Sequence, residues 1–403
     1  MRLFVHDFAG YPYPIHLSRA LARRGHTVWH AYCGSLRTTP GGELTPRPDD
    51  ASTLEIRRLE LDRPLEKYAF VTRWRQENQF GRLVAREVAR LQPDVVVSGN
   101  APLDTQRHLW RAAQRHGART VFWVQDLIGV AAARILKTKI PVVGHVAGAY
   151  YLNLEQRLLR ASDAAVLITE DFRPLLEDWG VRRATTHVVE NWTPLEEMPL
   201  RPADNAWAQQ HDLVDKRCLI YAGTLAMKHN PSLLLELARQ VQDQPDVRVV
   251  VLSEGLGATW LREQQAAHGL DNLVLLGFEP FERMPDVLAA ADILVAVLEP
   301  DAGVFSVPSK VLAYLCAQRP ILLAVPPENL AARIITDHDA GAVVPPHDLD
   351  GFVRAAQALL ADPSRRDRQG RHARHYAETT FDIERISDQF EAVLRSVLHP
   401  ETL

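Results

Sequence analysis

Two short stretches of this 403-residue sequence combine residue types that could hold a charged oxyanion. In Phe305-Ser306-Val307-Pro308-Ser309-Lys310-Val311-Leu312-Ala313-Tyr314-Leu315 a loop runs into an apolar helical period. Pro308 suits a first helical turn, and Ser306 stands where a cap would be. Ser309 and Lys310 then put a hydroxyl and an ammonium beside the free N–H groups of a helix start, where phosphate is attracted. The plain alternative is a capped helix with Lys310 in solvent. The second stretch, Gly223-Thr224-Leu225-Ala226-Met227-Lys228-His229-Asn230, follows the apolar run CLIYA and precedes a helical pattern from about Pro231. Gly223 would let the backbone approach a ligand, and Lys228 would reach a diphosphate from the side opposite Lys310. Neither GxGxxG nor GxxxxGKS is present, so a tight turn with a surface lysine is the competing account.

These residues need rigid elements behind them. Short β-branched runs at 3–8, 27–32, 94–98, 120–125, 164–169 and 187–190 alternate with helical periods, which predicts a parallel sheet. After a polar, proline-bearing stretch at 193–212 the pattern restarts at 218–222, 247–253, 273–277, 293–298, 321–325 and 342–344. Pro194, Pro199 and Pro202 discourage helix there, so the stretch reads as a linker. The expected fold is α/β, with two doubly wound Rossmann-like domains facing across a cleft. The domains are drawn at 1–195 and 196–375, and a helical tail at 376–403 packs back across them. Both halves open with an apolar strand, a glycine turn and an amphipathic helix, as related halves would. Ligands of such sheets bind beyond the carboxyl ends of the strands.

Composition narrows the chemistry. Forty-six Lys and Arg against fifty Asp and Glu give a formal charge of −4, so no global field recruits nucleic acid. Cys33, Cys218 and Cys316 have neither disulfide-framework nor zinc spacing, and a reducing cytoplasm is the expected location. The longest apolar run, 287–298, holds Asp292 and is too short to span a bilayer.

Taken together, RTVFWVQD (119–126), VVENW (188–192), YAGTLAMKHN (221–230), SVPSKVLAYLCAQRP (306–320) and the tail DLDGFVRAAQALLADPSRRDR resemble the retaining glycosyltransferases of family 4, of GT-B architecture. The likeness covers nearly the whole chain and is strongest toward bacterial enzymes of exopolysaccharide, O-antigen and colanic-acid assembly. It implies transfer of a sugar, with retention and without a metal or other cofactor, from a nucleotide-diphosphate sugar to a glycan or polyprenyl-linked acceptor, at the inner face of the plasma membrane. Carried over by position, it implies that Gly10 lies in the loop facing the donor diphosphate and acceptor. Gln125 and Asp126 occupy the place where many members have a His, often followed by Asp, and Asp126 would meet the donor sugar or an acceptor hydroxyl. Thr224 replaces a common Arg, which leaves Lys228 and Lys310 as the cationic pair. Glu254 and Gly255 match a donor-side turn, and Phe278 to Pro280 match the loop framing the nucleobase. Gly223, Lys228, Ser309 and Lys310 would then stabilise the departing diphosphate in the transition state. One departure stands out: where many members carry two glutamates eight positions apart, this chain has Phe305 and Ala313. The second normally holds the ribose, so nucleotide affinity should be weak unless Glu254 or Glu299 substitutes.

Other features read as structural. Gly25 and His26 suit a C-cap and a strand start. His16 reads as a solvated helix residue with acceptor contact as the alternative, and Asp337-His338-Asp339 as a loop that only imitates a metal motif. The arginine-rich segment 57–90, with Phe70, Trp74 and Phe80, is either a solvated face or a peripheral membrane-docking helix, with Arg73, Trp74 and Arg75 its contact residues. Rival functions are a nucleotide-sugar epimerase and a catalytically silent homologue that binds a nucleotide sugar or a partner protein.

Overall fold

The computed structural model describes residues 1–36, 44–66, 69–139, 141–298 and 308–399, with the side chains of 138–139, 141–143 and 228 also outside the description. It divides into two compact units, Met1–Glu190 with Ile383–Leu403, and Asn191–Asp382.

The first unit runs β1 (Arg2–Asp7), α1 (Pro12–Arg23), β2 (Thr27–Cys33), β3 (Leu54–Leu59), α2 (Phe70–Leu91), β4 (Val95–Gly99), α3 (Leu103–Arg115), β5 (Arg119–Val124), α4 (Ile128–Lys139), α5 (Pro141–Ala161), β6 (Ala164–Leu167), α6 (Arg173–Asp178) and β7 (Thr186–Val188). The sheet is parallel in the order β3-β2-β1-β4-β5-β6-β7. Runs such as Val95-Val96-Val97 are buried throughout, as strands covered on both faces must be. The strand order reverses direction between β1 and β4, and the chain leaving their carboxyl ends diverges there. A crevice forms at such a switch point, and ligands of open α/β sheets bind in it.

In the second unit come α7 (Ala206–Gln210), β8 (Arg217–Ala222), α8 (Ser232–Gln240), β9 (Val247–Leu252), α9 (Leu256–His268), β10 (Leu273–Leu276), α10 (Met284–Ala289), β11 (Ile293–Val297), α11 (Ser309–Cys316), β12 (Ile321–Ala324), α12 (Leu330–Asp337), β13 (Gly341–Val344), α13 (Leu349–Ala361) and α14 (Pro363–Thr380). Its sheet, β10-β9-β8-β11-β12-β13, is also parallel and switches between β8 and β11. The last helix, α15 (Ile383–Leu398), returns to the first unit, where Phe390 packs against Trp123 with ring centroids 4.9 Å apart. His26 Nε2 lies 2.9 Å from Glu391 Oε1, and Arg24 holds Glu384 and Asp388 at 2.7 and 2.6 Å.

Two expectations are corrected. Strand β3, with sequence LEIRRL, escapes the β-branched search because it pairs only with β2 and carries charge, as an edge strand does. The stretch 193–212 is not free of helix. Asn205 accepts the N–H groups of Trp207 and Ala208 at 3.0 and 3.1 Å, and the fully buried Trp207 anchors α7, so a side-chain cap and apolar burial prevail three residues after Pro202.

Candidate active site

In the first unit, the carboxyl ends of β1, β4 and β5 surround a cavity of about 150 Å³ lined by Ala9, Tyr11, Asn100, Gln106, Phe122, Trp123, Gln125, Asp126 and Ile128. Gly10 makes the turn between β1 and α1 with φ +71°, a left-handed conformation that a side chain would strain. Pro12 then starts α1 in the position its fixed φ favours. Gln125 and Asp126 follow β5 and both lie on the cavity wall, so the structure brings these two and the Gly10 loop together.

Buried polar groups that no motif pointed to hold this wall in place. Asp7, fully buried at the end of β1, accepts the backbone N–H of Tyr11, and the nearby Ala9 and Gly10 amides also favour its charged form. Asn100, after β4, donates to Asp7 at 3.0 Å and to Tyr13 Oη at 2.7 Å, and Tyr13 donates to Gln125 Oε1 at 2.9 Å. Loss of hydration lifts the Asp7 carboxyl to about 7 despite these donors. Glu155, on α5, accepts the N–H of Gly129 at 3.0 Å and so caps the start of α4, which begins two residues after Asp126; burial lifts it to about 7 as well. Asp126 touches solvent within the concavity while the walls strip part of its hydration, which raises its carboxyl to about 6. The one sequence signal for Asp7 is a carboxylate closing an apolar strand just before a glycine turn.

In the second unit, Gly223 follows β8 with φ +135°, and a Cβ there would stand 3.1 Å from Lys310 Cε and 3.2 Å from its Nζ. Only glycine admits both that backbone and that lysine. Lys310, in the first turn of α11, lies over the Tyr221 ring at 3.9 Å from its centroid and donates to Tyr221 Oη at 2.5 Å. Tyr221 passes its own O–H to the carbonyl of Thr224 at 2.8 Å. Desolvation lowers the Lys310 ammonium to about 7. Tyr314, one helical turn beyond Lys310, accepts the N–H of Ala222 at 2.8 Å and donates to its carbonyl at 3.1 Å, pinning α11 to the end of β8. Thus Gly223 and Lys310 meet at the β8 end, with Thr224 and Ser309 exposed beside them in sequence.

Glu254 is exposed after β9, and Gly255 precedes α9, whose first turn is tied to the same loop by the Gly257 N–H on Leu225 O at 3.0 Å. Glu254 Oε1 reaches toward Gly277, the residue before Phe278, which is 48% exposed. Glu279 is held by Trp207 Nε1 at 2.9 Å and Arg283 at 3.2 Å. Lys228 belongs to the turn Met227–His229, its side chain outside the described residues, and Ser306, Phe305 and Glu299 lie outside them entirely. Ala313 is half-buried between the buried Leu312 and Tyr314. The expected cap and start of α11 need correction: Pro308 is its N-cap, with φ −70° and ψ 111°, and Ser309 opens the helix. A proline fixes φ but carries no side-chain acceptor, so the N-cap residue itself caps no N–H of this helix.

His16 is buried in α1 rather than solvated, because that helix is covered along most of its length. On α2, Phe70, Val71, Trp74 and Arg75 are exposed, whereas Arg73 is half-buried, paired with Glu77 at 2.5 Å and bonded to Glu66 O at 3.5 Å. Of the three residues Arg73, Trp74 and Arg75, the last two are the exposed ones.

Residues 204–376 match the family described as glycosyl transferases group 1, and residues 12–192 the one described as glycosyl transferase 4-like domain. The two matches together span most of the chain, which belongs to these glycosyltransferases and has the GT-B type of fold. The Escherichia coli K12 protein WcaI, named as a colanic acid biosynthesis glycosyl transferase, is 24% identical over 75% of this chain and 74% of its own. D-inositol 3-phosphate glycosyltransferase of Xylanimonas cellulosilytica is 29% identical over 66% of this chain and 63% of its own. Among solved structures, sucrose-phosphate synthase of Thermosynechococcus elongatus aligns over 100% of both chains with TM-score 0.75 and 17% identity. HepE of Anabaena, in complex with UDP-glucose, aligns over 98% of this chain and 100% of its own with TM-score 0.70 and 13% identity. These last two likenesses concern the fold.

Proposed function

We propose that this glycosyltransferase moves a sugar, with retention and without a metal ion, from a nucleoside-diphosphate donor to a hydroxyl of a glycan or polyprenyl-linked acceptor in cell-surface polysaccharide biosynthesis, in the cytoplasm at the inner face of the membrane. The observation that carries it is Lys310, set at the start of α11 against the bare backbone of Gly223. An ammonium and free helix N–H groups placed there suit the oxygens of a departing diphosphate, whose negative charge grows as the bond to the anomeric carbon breaks. The acceptor oxygen bonds to that carbon, the carbon–oxygen bond to the diphosphate breaks, and the acceptor's proton leaves with the phosphate. No dedicated nucleophile is required. Among the described residues, the cavity at β1, β4 and β5 has no Lys or Arg in its lining and offers amides and a carboxylate, which suits a neutral hydroxyl-bearing ring. Among the described residues no three His, Cys, Asp or Glu side chains gather as a metal site, and no helix is long and apolar enough to cross a membrane. The polysaccharide context is supported by the name of WcaI, and the nucleotide-sugar donor by the UDP-glucose complex of HepE.

A donor screen tests this. Wild-type protein is incubated with UDP-, GDP- and dTDP-hexoses, with and without EDTA, while melting temperature and nucleoside-diphosphate release are followed. One donor should raise the melting temperature and be slowly hydrolysed in EDTA, and Lys310→Ala should lower turnover roughly a hundredfold. Absence of any hit would overturn the assignment of the donor. Loss of activity in EDTA that Mg²⁺ restores would overturn the metal-independent mechanism.

A further inference from the structure

Phe70, Val71 and Trp74 are exposed within the first two turns of α2, and on α5 Val146 and Tyr150, one helical turn apart, are exposed as well, Val146 at 71%. The start of α3 stands between the two groups and places them at one end of the first unit. Arg107 donates to Tyr150 Oη at 3.1 Å and to Asn78 Oδ1 at 3.0 Å, and Asn78 donates to the carbonyl of Trp74 at 2.9 Å. Thr105 fixes the level of α2 by donating to the Glu77 carbonyl at 2.9 Å. The next residue, Gln106, lines the cavity, so this apolar surface borders the end of the sheet where a ligand would enter.

Charge points the same way. Among the described side chains, every exposed charged residue of α2, α3, α4 and α5 is Arg or Lys, four on α2 and two on each of the others. Of the carboxylates on these helices, Asp104 and Glu155 are buried, and Glu77 and Glu87 are half-buried against Arg73 and Arg57. Arg75 follows Trp74, and Lys137 stands at the Val146 end of the α4–α5 hairpin, where Gly144 abuts the Leu136 carbonyl. The whole chain carries −4, so this basic layer is a local feature. Cations set around Trp, Tyr, Phe and Val match both attractions of an anionic bilayer: its headgroup charge, and an interface that takes up amphipathic rings and apolar side chains. A soluble polyanion would answer only the charge.

We infer that the exposed faces of α2 and α5 together form a docking surface for an anionic lipid bilayer, with Trp74 and Val146 inserted below the headgroups and Arg75 and Lys137 held among them. That the bilayer delivers a lipid-linked acceptor to the neighbouring cavity rests on the glycosyl-transfer function proposed above, whereas the docking does not.

The full chain is mixed, without donor, with vesicles of phosphatidylcholine alone and of phosphatidylcholine with phosphatidylglycerol. An environment-sensitive dye is attached in Val146→Cys and, as the control, in Arg385→Cys on α15, which packs against α1; the native cysteines are all buried. Anionic vesicles should shift the dye at position 146 to the blue and leave the one at 385 unchanged. Brominated acyl chains should quench the Trp74 emission, read as the difference between wild type and Trp74→Phe. Lys137→Glu, a change of two charges, should weaken co-sedimentation with anionic vesicles roughly thirtyfold at low salt. Trp74→Gln and Val146→Gln should each weaken it severalfold and melt within a few degrees of wild type, since both side chains are exposed. Absence of binding to anionic vesicles, binding without a blue shift at position 146, or equal binding by Lys137→Glu would each overturn the inference. Retention on heparin without vesicle binding would assign the basic layer to a soluble polyanion and overturn it too. If the donor screen finds no substrate, the glycosyl-transfer function fails while the vesicle measurements, made without donor, still decide the docking.

Discussion

Lys310 should take up a proton when a nucleoside diphosphate binds. In the free protein burial brings its ammonium down to about 7, and an adjacent dianion favours the charged form. At pH 8 a group with that pKa is about one-tenth protonated, so binding should draw in roughly 0.9 proton, falling to roughly 0.5 at pH 7. The sign follows: affinity is full below pH 7 and declines above it, approaching tenfold per pH unit. Between pH 7 and pH 9 the loss is about fiftyfold, or about 2.3 kcal/mol. The terminal phosphate ionises near pH 6, below this window, so it leaves the slope alone. The assay is titration calorimetry of UDP and GDP at pH 8 in HEPES and in Tris, whose ionisation enthalpies differ; the difference in apparent heat counts protons. In Lys310→Arg the guanidinium is always charged, so the uptake and the alkaline decline should both vanish. Uptake near zero in wild type, or equal uptake in the Arg variant, would refute the assignment of Lys310 to the diphosphate.

Gly223→Ala should cut turnover roughly a hundredfold with little change in secondary structure, because the added Cβ lies 3.1 Å from Lys310 Cε on a backbone with φ +135° and must displace the donor; steady-state kinetics and circular dichroism check it. His6 and His30 are buried and held near 3 against an ordinary 6.5, so only the unfolded chain protonates them as pH falls from 7.5 to 5. Each should therefore remove about 2 kcal/mol of stability over that interval. The raised carboxyls of Asp7 and Glu155 act in the opposite sense, so the histidine contribution is read as the difference in urea unfolding between wild type and His6→Asn/His30→Asn; an equal acid loss in both proteins would refute it. Arg75→Glu should weaken association with anionic vesicles by about 2 kcal/mol through a change of two charges, measured by co-sedimentation at low salt, and unchanged binding would remove α2 from consideration.

Much of this protein was legible in the sequence. Burying a parallel strand on both faces demands an apolar run, so the nine interior strands among the described residues announced themselves; of the four edge strands, β7, β10 and β13 kept β-branched or apolar letters, whereas β3, half charged, did not. The Gly10 and Gly223 turns, the Gln125-Asp126 corner and Lys310 were equally visible, since each follows an apolar strand and precedes a helical period. The tertiary structure alone decided which groups meet. Tyr221 and Lys310 are 89 residues apart and Asp7 and Asn100 are 93 apart, and sheet order, which local periodicity does not encode, makes each pair neighbours. It also decided the electrostatics. Arg73 and Arg75 look alike as letters, yet the helix turns one onto Glu77 and the other to solvent, and Asp7 owes its raised carboxyl to burial that no neighbouring residue in the chain reveals. Residue type sets what a group can do, while desolvation and hydrogen-bond direction, which belong to the packed whole, set what it does.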